Sequence, residues 1–138
     1  MLALLLYVPF GFQKIKLYFP AYATITCINK TIDIERYKGQ LFLFDRGALG
    51  EKKSCENWIL YTFLPELIKK YGVIKCNTIT LFDPTARTLQ GLCCLCQHII
   101  INKILIISVT KKSKDYKNKL ELLQQLTTKK NITLLQMR

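Results

Sequence analysis

Histidine occurs once in this chain, at His98, so no mechanism that needs several imidazoles can operate in it. Six glycines and four prolines in 138 residues exclude collagen-like, Pro-rich and Gly/Ser-rich classes. Acidic residues are few, nine against 21 Lys and Arg, which leaves little material for paired-carboxylate catalysis and gives a net charge of +12. No repeat of solenoid period is present. The uncharged run Met1–Phe12 (MLALLLYVPFGF) is too short to cross a bilayer alone. It lacks the basic start and the small-x-small cleavage site of a secretory signal. Residues 1–13 therefore read as an apolar tail, either a buried strand or the stump of a membrane segment. Membrane association through Met1–Phe12 is one expectation, and the compartment is read as cytoplasmic or membrane-associated.

What is there is apolar and basic. Half of the residues are hydrophobic, enough for a buried core and too many for a disordered chain. Residues 14–138 read as a single domain with no linker. The positive charge is concentrated at the end, where residues 103–138 hold nine basic and two acidic residues. A basic excess favours polyanions such as nucleic acid or anionic lipid. Lys111, Lys112 and Lys114 are the candidates for such contacts, although a short Lys run is also what a solvated loop or helix start looks like. Six cysteines, at 27, 55, 76, 93, 94 and 96, could form three disulfides. Three of them crowd into four positions and the core needs no staples, so reduced thiols are expected.

The first third has the short alternating runs of strands: Lys14–Phe19, Ala23–Ile28, Thr31–Tyr37 and Gln40–Phe44. Asn29-Lys30 and Lys38-Gly39 read as turns between them. The period then changes. Trp58, Ile59, Thr62, Phe63, Leu67, Ile68 and Tyr71 recur at helical spacing, with Ser54 as N-cap, Pro65 as a kink or a division and Gly72 as C-cap. Thr78–Phe82 is a strand, Ala86–Gln97 a helix, Ile99–Ile101 and Ile104–Val109 are strands, Tyr116–Leu126 is a helix and Ile132–Leu135 a last strand. Antiparallel strands that pass into βαβ units predict an α/β domain with a mixed sheet.

Local motifs are incomplete. Gly47-Ala-Leu-Gly50-Glu-Lys52-Lys53-Ser54 follows a strand and precedes a helix, but its spacing is wrong for a phosphate loop. Cys93, Cys96 and His98 form C-x-x-C-x-H with no second pair to complete a tetrahedral zinc site. On a helix beside Leu92 and Leu95 these cysteines read as small buried hydrophobes, and His98 as a core or edge residue. Asp45 and Asp83 each end a strand, where functional groups gather in α/β sheets. With His98 they are the candidates for catalysis, against ordinary turn capping as the alternative.

The stretch Gly39–Leu92 resembles the metallo-β-lactamase-like domain at the end of ComEC-type competence proteins, which take DNA into bacteria. The residues are Leu41-Phe42-Leu43-Phe44-Asp45-Arg46-Gly47 for a strand ending in Asp-x-Gly, and Leu64-Pro65-Glu66-Leu67-Ile68-Lys69-Lys70-Tyr71-Gly72 for a helix end. Thr78–Phe82 corresponds to the strand before the metal motif, and Gly91-Leu92 to the helix after it. The resemblance implies half of a metallo-β-lactamase-like sandwich. It also places Asp83, Thr85, Arg87 and Thr88 where the family's His-x-His-x-Asp-His ligands stand. Only Asp83 could bind a metal, and a cation at Arg87 repels a dication.

Three functions follow as expectations. The first is a degenerate, metal-free domain of this family that retains nucleic-acid or partner binding, with no cofactor and no small-molecule partner. The second is a metal-dependent phosphodiester hydrolase using zinc or manganese on Asp45, Asp83, His98 and a cysteine. The third is a small basic nucleic-acid-binding module with no catalytic history, whose contacts would weaken with salt.

Overall fold

The computed structural model describes residues 21–137, and the expectations for Met1–Phe12 and Lys14–Phe19 lie outside them. Six strands form one sheet in sequence order: β1 (Ala21–Thr26), β2 (Thr31–Tyr37), β3 (Gln40–Asp45), β4 (Lys75–Phe82), β5 (Ile100–Ile107) and β6 (Thr133–Met137). The pairs β1–β2 and β2–β3 are antiparallel, and β3–β4, β4–β5 and β5–β6 are parallel. The fold is α/β with a mixed sheet, as the change of period predicts. Short loops suffice for the antiparallel part, whereas each parallel pair needs a helical crossover.

Those crossovers are α1 (Cys55–Trp58) with its extension, α2 (Ala86–Cys96) and α3 (Lys114–Lys130). All three advance across the sheet in one direction, which puts them on one face. The burial pattern agrees. Ile32, Ile34, Leu41, Leu43, Ile79, Leu81, Ile104 and Ile106 alternate inward and are almost wholly buried. They meet Trp58, Ile59, Phe63 and Leu67, then Leu89, Leu92 and Leu95, then Tyr116 and Leu123. At about 25 cal/mol per Å² of apolar surface, this continuous layer is the main source of stability.

Four local expectations need correction. Ser54 makes no side-chain cap bond and sits at φ −91°, ψ 59°, outside the usual cap geometry. Pro65 neither ends nor divides the crossover helix. Its φ of −57° is helical, and the turns on either side, Ile59–Phe63 and Glu66–Lys70, are widened to π-helical form. Widening removes the clash of the proline ring with the preceding turn. The β1–β2 turn is longer than two residues. Cys27 N–H donates to the Lys30 carbonyl, and the Glu51 carboxylate accepts from the N–H groups of Ile28, Asn29 and Lys30. Residues 99–109 give one strand rather than two, because the polar pair Asn102-Lys103 stays within the ladder and Lys103 is in register with Thr78 and Thr133.

The helix ends are satisfied as their residues dictate. Gly72, at φ +67°, closes the first crossover, and Val73 N–H returns to the Leu67 carbonyl at 2.8 Å. Asn131 plays the same part for α3 at φ +58°, with Ile132 N–H on the Thr127 carbonyl at 2.8 Å. Ser113 caps the start of α3 by accepting from Tyr116 N–H.

Candidate functional site at the rim of the parallel strands

The carboxyl ends of β3, β4 and β5 lie side by side, and each leads into a loop that carries a residue singled out by the sequence. The first loop holds Asp45-Arg46-Gly47. Asp45 is 1 % exposed, on the helix-facing side of β3. Its Oδ2 accepts from Gly47 N–H and its Oδ1 from Leu49 N–H, each at 3.1 Å. Burial pushes its carboxyl up to about 6, against the pull of these backbone bonds and of Lys30. Gly47 takes φ +109°, and the stem of Lys30 lies across it. Asp45 thus organises the turn and the short 3₁₀ helix at Ala48–Gly50, the capping role set against catalysis above.

The second loop holds Asp83. Its backbone is left-handed, at φ +48°. One oxygen, Oδ1, accepts from Val109 N–H, Thr110 N–H, Thr110 Oγ1 and Lys112 Nζ, the last at 2.8 Å. Lys112 Nζ also donates to the Pro84 carbonyl at 2.7 Å. The Lys112 ammonium, helped by the other donors, holds the Asp83 carboxyl well below the usual carboxylate range. Asp83 therefore ties the β4–α2 loop to the β5–α3 loop.

The remaining motif positions are also engaged. Thr85 and Thr88 form a reciprocal capping box at the start of α2: Thr88 N–H donates to Thr85 Oγ1, and Thr85 N–H donates to Thr88 Oγ1. Thr88 is buried and Arg87 is exposed. A Cβ on Gly50 would collide with the Thr88 amide, so the 3₁₀ turn rests directly on this cap.

These residues do not assemble into one catalytic centre. Asp45 points into the core and Asp83 points to the third loop, and they share no partner. His98 lies beyond the other end of α2, about 16 Å of helix away from the rim. It is exposed rather than a core histidine. Cys96 is buried and Cys93 half-buried, and no group of three His, Cys, Asp or Glu suited to a metal occurs among the described residues. All six cysteines are free thiols.

What the rim does bring together is positive charge. Arg87, Lys111 and Lys114 are exposed and have no ion-pair partner among the described residues. Arg46 spans Asp33 at 3.1 Å and the ring of Phe82. Lys112 packs over the ring of Tyr116, with Nζ 5.0 Å from its centroid. Lys111, Lys112 and Lys114 were legible as a run, whereas the convergence of Lys30, Arg46 and Arg87 with them requires the strand order. The N-terminus of α2 adds its dipole to the same edge. No helix among the described residues is long and apolar enough to cross a membrane.

Comparison of the chain with family models, characterised proteins and solved structures returns no match.

Proposed function

We propose that the chain is a degenerate, metal-free domain of the metallo-β-lactamase-like type seen in ComEC-related DNA-uptake proteins. Its surviving role is to bind the phosphate backbone of nucleic acid along the rim of the parallel strands. The observation that carries this reading is the position of Lys112. Its ammonium occupies the carboxylate of Asp83, the one motif residue able to ligate a metal, at 2.8 Å. A dication there would have to displace a bound cation and sit near Arg87. The same substitution turns a ligand-bearing loop into a cationic one, flanked by Arg87, Lys111 and Lys114. Exposed Arg and Lys side chains of this kind are the groups that contact phosphate oxygens without reading sequence.

Binding of the purified full chain to a labelled single-stranded oligonucleotide, followed by fluorescence anisotropy over a salt series, tests the proposal. The expected result is affinity that falls steeply with salt, with a log–log slope of about −2 to −4 for three to five phosphate contacts. Arg87→Glu and Lys114→Glu should each reduce that slope by about one while leaving sequence preference unchanged. Binding that is absent or insensitive to salt overturns the nucleic-acid role. Stoichiometric zinc or manganese in the purified protein overturns the metal-free part.

A further inference from the structure

The face of the sheet opposite the helices is covered by no element among the described residues. Its centre is apolar: Phe44 and Phe82 stack with centroids 6.2 Å apart. Leu105 and Ile107 continue the patch half-buried, and Leu135 and Met137 continue it exposed. Its two flanks carry unlike charge. Glu35 on β2 and Lys103 on β5 both point to this side, and neither has an ion-pair partner among the described residues. Asp33, the other acid on this face, is already engaged by Arg46 and Thr24.

The register puts these charges on one line. Glu35 is opposite Phe42, Phe42 opposite Thr78, and Thr78 opposite Lys103. The next line across the same face runs Asp33, Phe44, Thr80, Leu105 and Leu135. The midpoint of the six strands falls between β3 and β4. We propose that this face packs against the same face of a second copy of the chain, about a two-fold axis parallel to the strands between β3 and β4.

That rotation keeps height along the strands and exchanges the two sides of the sheet. It lays β2 over the partner's β5 and β3 over the partner's β4. Glu35 then meets the partner's Lys103, and the contact occurs twice. Phe42 and Phe44 meet the partner's Thr78 and Thr80, large side chains against small ones, as interdigitating sheets require. Face-to-face sheets sit about 10 Å apart, a gap that a glutamate and a lysine span between them. Partial burial and the charge of Asp33 hold the Glu35 carboxyl above its usual value even against the pull of Arg46, so a further cation beside it is favourable.

The size of the face sets the strength. Six strands at about 4.8 Å and about five residues at 3.3 Å give roughly 450 Å² per copy before corrugation. The total of about 1,000–1,200 Å² is at the low end of specific interfaces, the size class of weak and transient complexes, so the association is sought at micromolar concentrations. Arg46 borders both the face and the rim, over the Phe82 ring. Glu35 and Lys103 pair with Phe42 and Thr78 further down the strands, so their substitution leaves Arg87, Lys111 and Lys114 in place. Association and nucleic-acid binding are therefore read with separate variants.

Sedimentation velocity of the full chain, from about 1 to 200 μM at near-physiological salt, reads the association directly. The expected result is a reversible monomer–dimer equilibrium. Glu35→Lys and Lys103→Glu should each weaken it about tenfold, and the double reversal should restore it to within about threefold. A monomer throughout, or single reversals without effect, or a double reversal without rescue, overturns the proposal. Hydroxyl-radical footprinting at the lowest concentration adds a second arm. Phe82 and Met137 should be labelled there and protected as the dimer fills. Protection in the monomer would assign the face to residues of the same chain and overturn the dimer.

Discussion

Lys112 Nζ lies 2.8 Å from Asp83 Oδ1, joining two loops that are 29 residues apart in sequence. The Lys112 side chain is 15 % exposed and that of Asp83 34 %, so the pair is only partly screened by water. Lys112→Met should keep the stem over Tyr116 and remove the charge. The expected outcome is a loss of about 1 kcal/mol, since three other donors still reach the carboxylate. The more telling readout is the carboxyl carbon of Asp83 in an NMR titration. Its midpoint should move up toward the ordinary carboxylate range when the largest cause of its depression is removed. An unmoved midpoint would mean that the Val109 and Thr110 donors alone fix its charge.

Asp45 and Asp83 impose opposite pH dependences. Burial raises Asp45 to about 6 from 3.8. A group raised on folding contributes stability that is fully present below its unfolded value and is lost as pH rises through the folded one. Asp83 is depressed, so its contribution is present above about 3.9 and is lost on acidification. From pH 4 to 7 the Asp45 effect controls this pair, and the shift corresponds to about 3 kcal/mol. Thermal unfolding should therefore show a higher midpoint at pH 5 than at pH 7.5. Asp45→Asn keeps an acceptor for Leu49 N–H but cannot titrate, and should flatten most of that slope. A slope that survives the substitution would place its origin elsewhere, with Glu35 the next group raised by burial.

Gly91 is fixed by contact rather than by backbone freedom. A Cβ there would run into the Leu49 carbonyl oxygen and approach Ile59 Cδ1 to 3.0 Å. Asp45 holds the amide of the same Leu49, so the 3₁₀ turn cannot retreat without breaking that bond. Gly91→Ala should destabilise by about 2–3 kcal/mol, as overpacking against backbone does, even though alanine is the better helix former. Denaturant unfolding measures it. A neutral or stabilising result would show that α2 can slide away from the turn.

Much of the architecture was legible because it rests on local periodicity. Ile32 and Ile34, Leu41 and Leu43, and the Trp58–Leu67 and Tyr116–Leu123 stripes all face the core on which their spacing insists. What escaped were features that depend on distant residues. Nothing near Ile28 announces that Glu51 will satisfy its amide and end β1 early. Nothing near Asp83 points to Lys112. Pro65 signals a break, yet the packing of Ile59, Phe63 and Leu67 keeps the helix going by widening its turns. His98 reads as a core or edge residue from its isoleucine neighbours, and it is exposed in the turn where α2 has ended and β5 has not begun. For the site, Asp45, Asp83 and the lysine run were identifiable as residues. Which of them face one another was set by strand order.

The thiols give a final measurement. Burial pushes Cys76 and Cys96 up to about 12, and both are nearly or fully inaccessible. Cys76 Sγ lies against the Thr78 and Leu41 carbonyls, where a thiolate would be repelled. A thiolate is the reactive form, so these two cysteines should resist alkylation at pH 8 until the chain unfolds. Cys27 and Cys93 are half-buried and should be modified first, although burial raises their thiols too. Mass spectrometry after timed iodoacetamide treatment should show two early sites and a protected set that opens only with denaturant. Early labelling of Cys96 would mean that the end of α2 detaches from the core on the timescale of the reaction, and would weaken the placement of the C-x-x-C-x-H residues as structural.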